Sequence, residues 1–124
     1  VWVVYEDMAT LPTGPVETYQ LVQRYVAAVM YLGTDGPNWY NNSMWLSPTS
    51  VCEWDGVKCY EEDENGFIES LNLNNNGLTG SIVSEIGTLS ELRVLDLSEN
   101  LLDGSIPSQI GNLVDLSSLV LACN

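Results

Sequence analysis

Two groups of carboxylates, Glu53 with Asp55 and the run Glu61-Glu62-Asp63-Glu64, are the residues whose types and spacing could do acid–base or cation chemistry in this 124-residue chain. A carboxylate pair works as acid and base when one member sits in an apolar pocket that separates the two pKa values. A run that closes on Asn65-Gly66 reads instead as a solvated turn. Calcium takes carboxylate oxygens, but this spacing fits no twelve-residue calcium loop, so no metal site is expected. Histidine is absent, which removes histidine-dependent triads and mixed Cys/His zinc sites. The chain therefore reads as non-catalytic and free of cofactors. An acidic hydrolase using Glu61 to Glu64 is the weakest of three functional readings.

The sulfurs offer different chemistry. Cys52 and Cys59 are separated by six intervening residues in a Trp- and Gly-containing segment, a spacing that closes a small loop and matches no common two-plus-two metal site. They read as a disulfide contributing about 2 kcal/mol, which persists only in an oxidising compartment. Cys123 is left over, either paired with a cysteine outside this chain or acting as a small free hydrophobe.

The net charge is -14, with Arg24, Lys58 and Arg93 as the only cations, so a nucleic-acid role would work against phosphate repulsion and is excluded. Such acidity suits basic partners or divalent cations, or is simply a solvated surface. No run of about 18 apolar residues is present, so nothing here is expected to span a membrane. Val1 to Tyr5 could be a strand or the sequel to a removed targeting segment.

The elements that position these groups are legible. Thr10 to Pro15 marks a linker, and a helix follows with Gly14 as N-cap, Pro15 at its first position and Gly33 as its left-handed stop. Val16, Tyr19, Val22, Val26, Val29 and Met30 form its apolar stripe, widened by Leu21, Tyr25, Ala28 and Leu32. Residues 33 to 51 are irregular, and Trp39, Tyr40 and Trp45 are expected to pin them to a core. Asn41-Asn42-Ser43 is an N-glycosylation sequon, so Asn41 is a candidate glycan acceptor on a surface loop. Val57 to Tyr60 and Phe67 to Leu71 read as a hairpin.

Beyond the hairpin, Leu71, Leu73, Asn76, Leu78, Gly80, Ile82, Ile86, Gly87 and Leu89 recur 24 residues later as Leu95, Leu97, Asn100, Leu102, Gly104, Ile106, Ile110, Gly111 and Leu113. A third copy begins with Leu116, Leu119 and Leu121 and reaches Asn124. A single repeat of this length cannot bury its own apolar face, so the copies must stack. The chain is thus expected to be the first part of something longer. In each Leu-x-Leu segment the leucines point to a core and the intervening residues outward. The outward set is Ser70, Asn72, Asn74, Val94, Asp96, Ser98, Ser118, Val120 and Ala122, a small polar patch. Asn76, Asn100 and Asn124 fall where the backbone turns away, and their amides can satisfy backbone groups as a ladder.

The pattern Leu-x-x-Leu-x-Leu-x-x-Asn-x-Leu-x-Gly-x-Ile-Pro, intact from Leu92 to Pro107, resembles the plant-type leucine-rich repeat. Trp45 followed by Cys52-Glu53-Trp54-Asp55-Gly56-Val57-Lys58-Cys59 resembles the paired-cysteine amino-terminal cap of plant receptor ectodomains. Asp35-Gly36-Pro37-Asn38-Trp39 and Asn42-Ser43-Met44-Trp45-Leu46 look closer to cell-surface repeat proteins of algae and diatoms. Val83 departs from the proline expected at its position. The resemblance implies an α/β leucine-rich repeat solenoid of short parallel strands, with an extension over 1–14, a disulfide-stapled helix-plus-hairpin cap over 15–66 and about two and a half repeats over 67–124. It further implies a secreted or cell-surface module that binds protein, peptide or glycan on the outward face of its strands, with another oxidising lumen as the alternative location. The competing reading is a structural subunit that docks through its third repeat within a large complex.

Overall fold

The structure is a computed structural model, and residues 14–124 are described; the expectations for Val1 to Tyr5 and the start of the linker lie outside them. Helix α1 (Pro15–Gly33) begins from extended Gly14 with Pro15 in its first turn, where a missing N–H costs nothing. Val26, Ala27, Met30 and Tyr31 are buried, while Tyr25 and Leu32 are 37% and 54% exposed, so the apolar stripe is narrower than its sequence spacing suggests. The expected left-handed stop at Gly33 is corrected. Thr34 ends the helix by donating both its N–H (3.1 Å) and its Oγ1 (2.7 Å) to the Met30 carbonyl, and the left-handed residue is Asp35, at φ 62°. A hydroxyl cap makes a glycine turn unnecessary there.

Tyr31 leads into an aromatic cluster. It stacks on Trp45 at 5.7 Å and meets Trp39 edge-on at 5.1 Å, while Trp45 in turn lies 5.0 Å from Trp54. Indole N–H groups need partners when buried. Trp39 donates to the Thr34 carbonyl and Trp45 to that of Asp55, which fixes the irregular segment against the helix. Tyr40 does not join them. It is 71% exposed, and its ring lies over Gly77, where a Cβ would meet it at 3.1 Å.

Strands β1 (Val57–Cys59) and β2 (Ile68–Asn72) form an antiparallel hairpin, and Cys52 is disulfide-bonded to Cys59 with the Cα atoms 5.5 Å apart. Gln23, buried in α1, grips this hairpin: its Nε2 donates to the Gly66 carbonyl at 2.6 Å and its Oε1 accepts from Ile68 N–H at 3.0 Å. Strand β3 (Thr79–Gly80), β4 (Val94–Asp96), β5 (Leu101–Leu102) and β6 (Ser118–Val120) complete the chain. The main sheet runs β1-β2-β4-β6 with the last three strands parallel, and β3 pairs with β5 in a second, two-stranded sheet. Register is strict: Leu71, Leu95 and Leu119 are neighbours, as are Asn72, Asp96 and Val120.

Each coil returns through a 3₁₀ turn, Ser84–Thr88 and Ser108–Asn112. Val83 and Pro107 precede them with nearly the same backbone, φ -76° and -65°, so valine reaches the proline conformation here unaided. The leucine rows of the first two coils make one continuous core, with Leu71, Leu78, Leu92 and Leu95 fully enclosed. The third row departs from expectation: Leu119 is 40% exposed, because no further coil lies across it.

Candidate functional site

The parallel strands bring the outward residues into rows. Ser70, Val94 and Ser118 form one, all half-buried, and Asn72, Asp96 and Val120 form the next, more open one. Beyond the strand ends the alternation stops. Asn74 and Ala122 are exposed, but Ser98, expected on the same face, is buried at 8%. Asp96 Oδ1 accepts from Ser98 N–H at 3.0 Å and from its Oγ at 2.6 Å, so the serine hydroxyl is engaged by its neighbour and not presented to solvent. Asn72 Oδ1 makes the corresponding single bond to Asn74 N–H, 3.2 Å, and leaves the Asn74 side chain outside.

Behind this face the three asparagines hold the turns. Asn100 Oδ1 accepts from Asn76 N–H (2.9 Å) and Leu78 N–H (3.0 Å), and its Nδ2 reaches the carbonyls of Leu73, Leu97 and Ser98 at 2.9, 3.0 and 3.1 Å. Asn124 binds Leu102 N–H and the Leu97 and Leu121 carbonyls in the same manner, one coil later and nearer solvent. Asn76 continues in the same direction along the stack, into the cap, and clasps the Asn41 backbone through its N–H (2.7 Å) and carbonyl (3.0 Å). The Asn41 side chain itself is exposed and makes no hydrogen bond within the described residues.

At the entry to the strands two cations stand among carboxylates. Lys58 and Arg93, two of the three cations in the chain, approach Glu69 at 4.0 and 3.8 Å. Both pairs are long and solvent-screened, and are worth little to stability. Arg93 lies 5.1 Å from the centre of the Tyr60 ring, and Tyr60 donates its hydroxyl to the Glu91 carbonyl at 2.7 Å. Burial raises the Tyr60 pKa, with Arg93 opposing the shift and Glu69, Glu91 and Asp115 reinforcing it. This mixed-charge edge has no periodic signal in the sequence, because Lys58 belongs to the cap and Arg93 to a repeat.

Where the cap meets the first coil, an open pocket of about 310 Å³ is walled by Asn41, Asp55, Gly56, Asn72 and Asn74, with Leu73 and Asn76 behind. Glu61, Glu62, Asp63 and Glu64 are all solvent-exposed on the hairpin turn, away from any apolar pocket that would separate their titrations. No cluster of three or more His, Cys, Asp or Glu able to hold a metal occurs among the described residues. Cys123 is free and exposed at φ 63°, in the place that Glu99 and Asn75 occupy one and two coils earlier. No described helix is long and apolar enough to cross a membrane.

Comparison with known proteins places the repeats. The family described as Leucine Rich Repeat matches residues 67–89 and 91–113. Among curated proteins, phytosulfokine receptor 2 of Arabidopsis thaliana is 47% identical over 51 residues, 41% of this chain and 5% of that protein. Receptor-like kinase TMK4 of the same plant is 43% identical over 51 residues, again 41% of this chain and 5% of the relative. The matched segment is thus a small part of each relative's length, and their kinase names come from other regions. Among solved structures, the BIR2 ectodomain from Arabidopsis thaliana superposes with a TM-score of 0.68 at 28% identity, covering 80% of this chain and 54% of that one. The PEPR1-AtPEP1 structure does so at 0.55 and 31%, covering 73% and 13%. The chain has the leucine-rich repeat fold, and its repeats are similar to those of plant receptor ectodomains.

Proposed function

We propose that the chain is a non-catalytic recognition module, the amino-terminal part of a longer secreted or cell-surface protein, that takes a protein, peptide or glycan on the outward face of its parallel strands. Ser70, Asn72, Asn74, Val94, Asp96, Ser118 and Val120 carry the contact, and Ser98 supports it from within. The observation that carries this reading is the in-register row Asn72, Asp96 and Val120, side chains presented to solvent in front of a closed leucine core. Three short strands offer less than the ~800 Å² per partner of a usual protein complex, so an extended peptide or a glycan suits them better than a flat globular surface. The disulfide and the similarity to receptor ectodomains support passage through the secretory pathway, with glycosylation at Asn41. The division into a cap over 15–66 and repeats over 67–124, and the closer tie to algal and diatom surface proteins, belong to the same proposal.

The test is to pan a displayed random-peptide library on the immobilised chain and titrate the enriched peptides against Asp96→Trp and Asn72→Trp. Both variants are expected to lose binding by at least tenfold. Unchanged affinity in both overturns the assignment of this face.

A second reading, docking within a larger assembly through the third coil, is favoured by Ile106, Val114 and Leu119, which are 58%, 82% and 40% exposed. It predicts self-association or partner capture that Val114→Asp and Leu119→Asp abolish in analytical ultracentrifugation.

A further inference from the structure

The pocket between cap and first coil differs from a usual small-molecule cleft, which is mostly apolar with a few polar groups. Here the walls are mostly polar, with Leu73 as the apolar patch among them, and much of their hydrogen-bonding capacity is unspent. The Asn41 and Asn74 side chains make no hydrogen bond within the described residues. Asn72 uses only its Oδ1, to Asn74 N–H, and Asp55 only its Oδ2, to Ser43 N–H at 3.1 Å. Three amides therefore offer both donors and acceptors toward one space, beside a carboxylate that only accepts.

That inventory selects the ligand. A phosphate or carboxylate would meet Asp55 and a chain of net charge -14. An ammonium group would satisfy Asp55 but leave the amide N–H groups facing a group with no acceptor. Vicinal hydroxyls, each both donor and acceptor, match amides and carboxylate together. We propose that this pocket is a saccharide site, which deepens the recognition function above and rests on it.

The walls are held in place before any ligand arrives. Asn76 fixes the Asn41 backbone at two points. Asn72 N–H donates to the Gly56 carbonyl at 2.8 Å, and the approach is so close that a Cβ at Gly56, itself at φ 82°, would meet the Asn72 carbonyl oxygen at 2.4 Å. Preorganised polar groups spend little ordering entropy on binding. The saccharide has two possible sources. Asn41 begins the sequon Asn41-Asn42-Ser43 and stands in the pocket wall, so a glycan on its side chain would start inside the site; alternatively the sugar comes from outside.

The experiment follows amide resonances of Gly56 and Asn74, and the side-chain amide of Asn72, by NMR on the full chain. In one arm the unglycosylated chain is titrated with cellobiose and with diacetylchitobiose; in the other, chain secreted by a glycosylating host is compared with Ser43→Ala from that host. Shifts in the first arm, weakened about fivefold by Asn74→Ala and by Asp55→Asn, identify a site for external sugar. Displaced resonances in the second arm alone, relieved in Ser43→Ala, identify the chain's own glycan as occupant. No shift in either arm, or no glycan on Asn41 together with a flat titration, overturns the proposal. Asp96→Trp lies outside the pocket and keeps the shifts, and peptide binding that survives both this variant and Asn72→Trp refutes the strand-face reading without touching the saccharide site, which the titration of the unaltered chain reads by itself.

Discussion

Replacing Asn100 by alanine tests how much of the stack depends on one side chain. Asn100 is 5% exposed, so water does not take over its bonds without the coils parting. Two N–H groups, of Asn76 and Leu78, lose their acceptor. Of the three carbonyls it serves, that of Leu97 keeps Asn124 Nδ2 and that of Ser98 keeps Asn75 N–H, whereas that of Leu73 is left with no partner in the structure. Three buried backbone groups are stranded, each costing about 1–3 kcal/mol. Allowing for relaxation, the expected loss is about 3–5 kcal/mol, a large part of the 5–15 kcal/mol typical of a whole domain. Asn124→Ala is the matched control, since the same amide one coil later is solvent-exposed, and it is expected to cost under about 1 kcal/mol. Urea titration followed by tryptophan fluorescence and circular dichroism measures both. A loss below 1 kcal/mol for Asn100→Ala, or equal losses for the two variants, refutes the claim that buried amides and not leucine packing alone hold the coils in register.

Three further outcomes follow from particular contacts. Gly87 and Gly111 are equivalent positions, but a Cβ at Gly87 would meet the Gln109 carbonyl oxygen at 2.4 Å while Gly111 has open space, so Gly87→Ala should lower the urea midpoint by about 1–3 kcal/mol of stability and Gly111→Ala should leave it nearly unchanged. Reducing the Cys52–Cys59 disulfide, or replacing both residues by alanine, should cost about 2 kcal/mol in the same assay, and no change would mean that the hairpin is held by Gln23 and the sheet alone. A group whose folded pKa is raised keeps its full contribution below the unfolded value, near 10 for tyrosine, and loses it as pH climbs through the folded one. Stability should therefore fall on the alkaline side of that value more steeply in the native chain than in Tyr60→Phe, and parallel curves would contradict the burial of this hydroxyl.

The repeat period, the hairpin and the facing of the leucines are legible in the sequence because each is a regular pattern of many residues. What escaped depends on single contacts. Gln23 sits four residues after Tyr19 and three before Val26, on the apolar side of α1, and a polar residue in that place was the available signal for a buried clamp. Alternation places Ser98 outward, but alternation holds only while the backbone stays in the strand, and Ser98 lies past the strand end. Trp39 and Tyr40 looked alike as anchors, yet only the ring whose N–H could reach the Thr34 carbonyl went inside. The mixed-charge edge and the amide-walled pocket join residues from cap and repeats, and no periodicity within either part points to them.

The amide bonds across the stack have a direction. Asn124 lends its oxygen to the coil of Asn100, Asn100 lends its own to the coil of Asn76, and Asn76 gives both amide atoms to the cap at Asn41. Every layer is therefore finished by its successor, like overlapping tiles. Damage at one layer should be felt upstream, so that amide protection toward deuterium fades in the turn preceding a lost asparagine before it fades in the turn that carried it.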